Sequence, residues 1–289
     1  MVFLNGKLLP VEQATVSVLD RGFIFGDGVY ELVPVYSRVP FRIEEHLARL
    51  ERSLGEARIR NPYSRAQWRG HIHGLIDAQP FEDQGIYFQV TRGAAKRDHA
   101  FPKDVEPTVF MMSSPLVNPP HAQVERGGAA VSALDNRWLR CDIKSISLIG
   151  NVLLRQLSAE AGAAETILFR DGQLTEASAS NVFIVKRGVI QSPPKSNLIL
   201  PGITYDVIAE LARADKLPIE FKPITEEEVR SADEVWVTSS SKEVFPIVSL
   251  DGRQIGDGRP GPVFRRMHQL YQDFKQTVMR SGKREAISA

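Results

Sequence analysis

The sequence predicts an α+β fold in two domains, and three observations carry the prediction. Strand-like and helix-like apolar segments follow one another irregularly, without the regular βαβ series of a Rossmann fold or a TIM barrel. A proline-rich stretch, SSPLVNPP (Ser113 to Pro120), separates two segments that could each hold a core. The 289 residues, 43% hydrophobic and 25% charged, suffice for one large or two modest globular domains without staples. We place the boundary near residue 120. A small N-terminal α/β domain then covers 1–120 and a larger C-terminal domain covers 121–289.

The elements follow in order. Asn5-Gly6 between short apolar runs predicts a hairpin. Arg21 to Glu31 (RGFIFGDGVYE) is rich in Gly and Asp and reads as a loop, leading into a strand over Leu32 to Tyr36. Leu47, Leu50, Leu54 and Ala57, three and four apart, predict a helix over Glu44 to Ile59, stopped by Pro62. Ser64 with Gln67 has the form of a capping box, and Trp68, Ile72, Leu75 and Ile76 continue the apolar face of the helix it opens. Strands follow over Gly85 to Thr91 and Pro107 to Met112.

Beyond the linker, Ala129 to Ala133 reads as a strand. Leu148 to Ala161 reads as a helix, with Leu153, Leu154 and Leu157 setting the period. Thr166 to Phe169 and Asn181 to Lys186 are strands around an Asp171-Gly172 turn, and Gly202 opens a helix reaching about Ala214. Thr225 and Glu228 form a second capping box, Val235 to Thr238 is a strand, and Asp251-Gly252 marks a hairpin. The chain from Val263 reads as a basic helix with a frayed end.

Composition excludes several classes. Thirty-six Lys and Arg against 35 Asp and Glu leave a formal charge of +1, which argues against a nucleic-acid or anionic-membrane binder. No apolar run approaches a membrane span. A single cysteine, Cys141, excludes an internal disulfide framework and a cysteine-based zinc site. The first residues read as a strand rather than a signal peptide, and a reducing cytoplasm is the expected compartment. P-loop, dinucleotide-binding and serine-hydrolase motifs are all absent. His71 and His73 fall in a helical segment, where their rings diverge, so no metal site is expected. Cys141 reads as a small, half-buried apolar residue rather than a nucleophile.

Two residues stay open on composition alone. Glu176, at the head of a polar run, is a general base, a ligand partner or a solvated strand end, and composition favours the last. Lys144, in WLRCDIKS, is either a surface lysine, which composition favours, or a half-buried amine of lowered pKa.

Several longer segments shift that balance: DRGFIFGDGVYE (Asp20 to Glu31), EEHLARL (Glu44 to Leu50), IYFQVTRG (Ile86 to Gly93), RWLRCDIKS (Arg137 to Ser145), LTEASASNVF (Leu174 to Phe183), LPGIT (Leu200 to Thr204) and VTSSSKE (Val237 to Glu243). In this order they resemble the class IV aminotransferases, pyridoxal-phosphate enzymes of fold type IV, and particularly the D-amino acid aminotransferases. The resemblance runs from the first hairpin to the one at Asp251. The run at 239–241 departs from a more Thr-rich family pattern but keeps its hydroxyls.

The resemblance implies the chemistry. Lys144 matches the lysine that forms a Schiff base with pyridoxal 5′-phosphate and moves a proton between the substrate α-carbon and the cofactor C4′. Glu176 matches the carboxylate that keeps the pyridine nitrogen protonated, improving the ring as an electron sink. Arg49, Ile203 and Thr204 at a helix N-terminus, and Ser239 and Ser240 match the phosphate-binding residues, and Leu200 matches a residue packed on the ring. Tyr30, Arg97 and His99 match the residues that hold the substrate α-carboxylate, Arg97 and His99 acting across a homodimer, with His46 as support. The cofactor is expected between the domains, with the larger one supplying Lys144 and Glu176.

The implied reaction is ping-pong transamination through pyridoxamine phosphate, between a D-amino acid and a 2-oxo acid such as 2-oxoglutarate. Aminodeoxychorismate lyase-type chemistry or another class IV aminotransferase activity are alternatives on the same cofactor site. A non-catalytic binding protein on this fold is a third.

Overall fold

The computed structural model describes residues 1–281 as two compact units, each with its own sheet. The first contains Met1–Leu116, the segment Ile143–Leu148 and residues 279–281. The second contains Val117–Asp142 and Ile149–Val278.

In the first unit the opening hairpin joins β1 (Val2–Leu4) to β2 (Lys7–Leu9), and Asn5 and Gly6 both have positive φ, as a type I′ turn demands. The Arg21 to Glu31 stretch is not a loop throughout. Asp20 caps a short helix, α1 (Arg21–Phe25), which ends at left-handed Gly26, and β3 starts at once (Gly28–Tyr36). A five-residue helix closed by its own cap leaves too short a period to be seen in a sequence. A two-residue β4 (Val39–Pro40) precedes α2 (Ile43–Glu56) and α3 (Arg65–Asp77). The capping box of α3 is complete, with Ser64 and Gln67 satisfying each other's backbone N–H. β5 (Gln84–Thr91) and β6 (Thr108–Pro115) finish the sheet, in the order β2-β1-β6-β5-β3-β4.

β3 and β5 are antiparallel in unbroken register from Gly28↔Thr91 to Val35↔Gln84. Val29, Val33 and Val35 of β3 share a core with Leu47, Leu50 and Leu54 of α2 and Trp68, Ile72, Leu75 and Ile76 of α3. The period of two therefore also turns Glu31 toward the helices and Tyr30 away from them.

Ile143–Leu148 extends the β3 edge. Tyr30 N–H donates to the Lys144 carbonyl (2.8 Å), Ile146 N–H to the Gly28 carbonyl (3.1 Å), and Val29 bridges Ser145. Ile143 joins the helix-side core. Lys144 thus packs with the first unit, which corrects its expected assignment to the larger C-terminal domain. Backbone pairing across a long sequence separation decides this, and no local pattern reports it.

The second unit opens with α4 (His121–Arg126) and β7 (Gly128–Leu134), followed by α5 (Ile149–Glu160), β8 (Glu165–Arg170), β9 (Gln173–Ala177), β10 (Asn181–Lys186) and β11 (Val189–Ser192). Then come α6 (Ile203–Ala214), β12 (Ile219–Phe221), α7 (Glu226–Arg230), β13 (Glu234–Ser239), β14 (Glu243–Leu250), β15 (Arg253–Gln254) and α8 (Pro262–Phe274). The sheet order is β12-β11-β10-β13-β14-β7-β8-β9, with β15 beside β14. β7 is parallel to both its neighbours, and β10, β13 and β14 are antiparallel. Trp236 lies at the centre, stacked on Phe183 and edge-on to Phe264.

Two expectations change here. The sequence predicts a turn and a polar run where β9 stands; Asp171-Gly172 is a tight hairpin, and its return strand has Leu174 as its one large apolar residue, too little to show a strand pattern. α5 forms, and its period has two outcomes: Leu154 is buried, whereas Ile149, Val152, Leu153 and Leu157 are exposed. The frayed C-terminal end expected of the last helix lies outside the described residues.

Candidate active site

In the first unit the candidate residues lie on the two faces of β3. On the helix side, Glu31 is fully buried and both its oxygens are occupied. Arg49 Nε donates to Oε1 (2.7 Å), Arg49 Nη2 to Oε2 (2.8 Å), and His46 Nδ1 lies 2.8 Å from Oε2. Residues 46 and 49, one turn apart on α2, reach the same carboxylate. Burial alone would raise the Glu31 pKa, but the Arg49 guanidinium outweighs it and, with His46, holds the carboxyl well below the usual range. Burial pushes the His46 imidazole down, so the neutral ring donates from Nδ1. Among the described residues His46 Nε2 has no partner. At 0% exposed, His46 supports Arg49 through Glu31 rather than presenting its ring to a ligand.

On the opposite face, the Lys144 amine lies 4.2 Å from the centroid of the Tyr30 ring, which stacks on Tyr87 at 5.5 Å. Lys144 is half-buried, and its backbone N–H donates to Ser53 Oγ on α2 (3.3 Å). Among the described residues no carboxylate pairs with its Nζ. Its Nζ is therefore not committed to an ion pair, which leaves it for covalent chemistry with a carbonyl.

Arg97 and His99 lie on the exposed stretch after β5, and both pack on Phe25. The Arg97 guanidinium carbon is 5.3 Å from the ring centroid and the His99 ring is 5.4 Å away.

In the second unit, Glu176 on β9 is buried, so it is not a solvated strand end. Arg137 Nη1 donates to its Oε1 (2.7 Å), and Leu200 N–H (3.0 Å) and Asn181 Nδ2 (3.3 Å) donate to Oε2. Arg137 is shared, its Nε and Nη2 both binding Asp135 at 2.9 Å. Burial therefore wins over Arg137 and pushes Glu176 up to about 7. Leu200 thus contributes its backbone N–H to Glu176.

Asn181 also donates to the Leu200 carbonyl (2.9 Å), and its Oδ1 would lie 2.3 Å from a Cβ at position 202. Glycine is required there by close approach, and the same Gly202 is the N-cap of α6 with no side-chain cap. The first N–H groups of α6, at Ile203 and Thr204, are left for an anion. Ser239 ends β13 and Ser240 starts the turn into β14, where Ser239 Oγ accepts from Lys242 N–H (3.1 Å). Buried Glu165 fixes that turn by pairing with the Lys242 amine while accepting from Ser178 and Ser180.

Taken by itself, the second unit has groups of the kinds pyridoxal phosphate needs: an anion-ready helix start, two serine hydroxyls and a buried carboxylate, with the Thr238 hydroxyl beside the serines buried and unpartnered among the described residues. Taken by itself, the first unit has an amine, that of Lys144, and a buried arginine, Arg49. Among the described residues no group of His, Cys, Asp or Glu could hold a metal ion.

Glu31, Arg137 and Asn181 were not singled out from the sequence, although each lies inside or beside a motif that was. A carboxylate among β3 valines was the one available signal; Arg137 lies in a mixed, charged run, DNRWLRCD, that gives none. Cys141 is buried, with its thiol pushed up to about 11 by burial, as suits an inert residue. His71 packs between Phe3 and Tyr63.

The chain is 41% identical over 272 residues to a D-alanine aminotransferase of Bacillus licheniformis, covering 94% of this chain and 96% of that protein. A D-alanine aminotransferase of Staphylococcus epidermidis is 39% identical over 276 residues, covering 96% and 98%. Among solved structures, the branched-chain amino acid aminotransferase of Escherichia coli superposes with a TM-score of 0.86 at 27% identity, covering 93% of this chain and 92% of that one. A T.th. branched-chain amino acid aminotransferase, solved with pyridoxamine 5′-phosphate, gives 0.89 at 24% identity, covering 98% and 95%, a likeness of fold alone. The family model for amino-transferase class IV matches residues 28–250, and the chain belongs to the class IV aminotransferases.

Proposed function

We propose that the protein transfers the amino group of D-amino acids to 2-oxo acids such as 2-oxoglutarate, in two half-reactions that share one site. The observation that carries this reading is the Lys144 amine, half-buried against Tyr30 with no carboxylate among the described residues to neutralise it. Pyridoxal phosphate is the cofactor, and when bound it supplies the electron sink for charge left at the substrate α-carbon. Lys144 holds the cofactor and then, as a free amine, takes the α-proton and returns it at C4′. Glu176 holds the proton of the pyridine nitrogen. Arg49, the first N–H groups of α6 at Ile203 and Thr204, and the Ser239 and Ser240 hydroxyls bind the phosphate. Leu200 packs on the ring.

Arg97, His99 and Tyr30 bind the substrate α-carboxylate. Support for D-amino acids comes from the D-alanine aminotransferases that share about 40% of the sequence over nearly the whole chain. We assign Arg97 and His99 to the site of a second copy, because their side chains are exposed. The apolar stripe of Ile149, Val152, Leu153 and Leu157 on α5, exposed in one chain, is a surface for the same homodimer. The absorption spectrum of the loaded enzyme tests the reading. D-Alanine should discharge the visible band of the lysine-bound cofactor and 2-oxoglutarate should restore it, whereas L-alanine should leave it standing. Discharge by L-alanine alone would overturn the D-assignment, and product release without an acceptor would point to a lyase. Sedimentation should give a dimer, and Leu153→Lys should shift it to the monomer.

A further inference from the structure

We infer that Arg21 is a positioning residue for substrate recognition: its buried guanidinium sets the backbone on which Arg97 and His99 are displayed, and Phe25 sets their side-chain planes. The inference rests on the proposed carboxylate role of Arg97 and His99.

The segment after β5 has little to hold it by ordinary means. Residues 96–100 are exposed and belong to no strand or helix. Yet three successive carbonyls there converge on one buried side chain. Arg21 Nη1 donates to the carbonyls of Asp98 and Ala100, and Nη2 lies 3.5 Å from the carbonyl of His99. Arg21 is only 4% exposed. Its remaining donor, Nε, binds Asp27 Oδ2 (2.7 Å), and Asp27 also takes both Nε and Nη2 of Arg92 (2.8 and 3.0 Å). Arg92 in turn binds the carbonyls of Ala57 and Arg58 at the end of α2 (2.8 and 2.7 Å). The display is thus tied through two arginines and one aspartate to the helix that carries Arg49 and His46.

The entry of the segment is fixed as well. Arg21 N–H donates to the Gly93 carbonyl (2.9 Å) and Ala95 N–H to the Leu19 carbonyl (3.2 Å). Gly93 has φ +101°, and a Cβ there would lie 2.0 Å from the Glu106 carbonyl oxygen. Phe25, one turn along α1 from Arg21, is the common platform for the Arg21, Arg97 and His99 side chains. A planar guanidinium can hold several carbonyls in one plane, and a lysine amine cannot reproduce that fork. Pre-set donors avoid the cost of ordering the segment when a carboxylate arrives.

The test uses loaded Arg21→Lys, Phe25→Ala and Arg97→Ala enzymes. Hydrogen exchange of the amides at 97–101 should accelerate in Arg21→Lys while that of β5 stays as in the parent. The KM for D-alanine should rise about tenfold in Arg21→Lys and in Phe25→Ala, equivalent to ~1.4 kcal/mol, with kcat changed less. Phe25→Ala removes a half-exposed ring, so it decides the matter if Arg21→Lys fails to fold. The inference is overturned if KM stays at the parent value in both variants while Arg97→Ala raises it, or if kcat and thermal stability fall with KM unmoved. Should Arg97→Ala itself leave KM unchanged, the carboxylate reading fails first and the inference goes with it.

Discussion

Glu31 and Glu176 are both buried carboxylates bonded to an arginine, and their pKa values are pushed in opposite directions. Glu31 has Arg49 on both oxygens with His46 beside it, and its carboxyl lies well below the usual range. Glu176 has one nitrogen of Arg137, whose other donors serve Asp135, and burial pushes it up to about 7. The difference lies in how much of a cation each carboxylate owns. A fully paired carboxylate is a fixed anchor, here orienting Arg49. An under-paired one can still be driven to its ionised form by a second cation, and in the proposed reading that cation is the protonated ring nitrogen of pyridoxal phosphate.

The contrast can be broken at several points, and the largest expected effect lies outside both carboxylates. Lys144→Ala should abolish transamination and the visible band of the bound cofactor, since among the described residues no other amine lies on Tyr30. Turnover near the parent rate would remove Lys144 from the reaction and leave Glu176 nothing to serve.

Glu31→Gln should act on stability. It removes the negative charge that Arg49 pairs with inside the fold, and breaking a buried pair of this kind costs about 3–5 kcal/mol. The contribution of Glu31 is present above the normal carboxylate pKa and is lost as pH falls toward its depressed value. Melting curves of Glu31→Gln should therefore show a lower Tm at neutral pH and a smaller gap from the parent in acid. Equal gaps at all pH values would contradict a permanently ionised Glu31.

Glu176→Gln should have the opposite signature. Its carboxyl is raised in the folded chain, so its contribution is complete below about 4.5 and fades as pH rises through about 7. Without cofactor, the parent should lose stability across that window at no more than about 1.4 kcal/mol per pH unit, and Glu176→Gln should flatten the slope. With cofactor, single turnover with D-alanine should slow, because a neutral amide cannot hold the ring nitrogen protonated as a carboxylate can. An unchanged single-turnover rate would remove the ring-nitrogen role.

The smallest effect is expected at Cys141, the neutral buried group of the same unit. Cys141→Ala should keep activity and cost less than about 1.5 kcal/mol by chemical denaturation. A large loss of activity would reopen the thiol as a reacting group.

The sequence by itself determined whatever rests on local geometry. The Asn5-Gly6 turn, the helix expected over 44–59 and found over 43–56, the two capping boxes and the glycine that opens α6 each follow from residues within a few positions of one another. The resemblance then pointed to Lys144 and Glu176 against what composition favoured. Tertiary structure alone decided the neighbours that set charge. Glu31 lies 18 residues from Arg49, and Arg137 lies 39 from Glu176. Arg21 reaches carbonyls 77 to 79 residues away. The same holds for Lys144, which follows the linker yet packs with the unit before it. Turn and helix signals decay within a few residues because they arise from backbone sterics and local hydrogen bonds. The charge state of a buried group depends on which cations the whole fold brings within a few ångströms, and on what water it excludes.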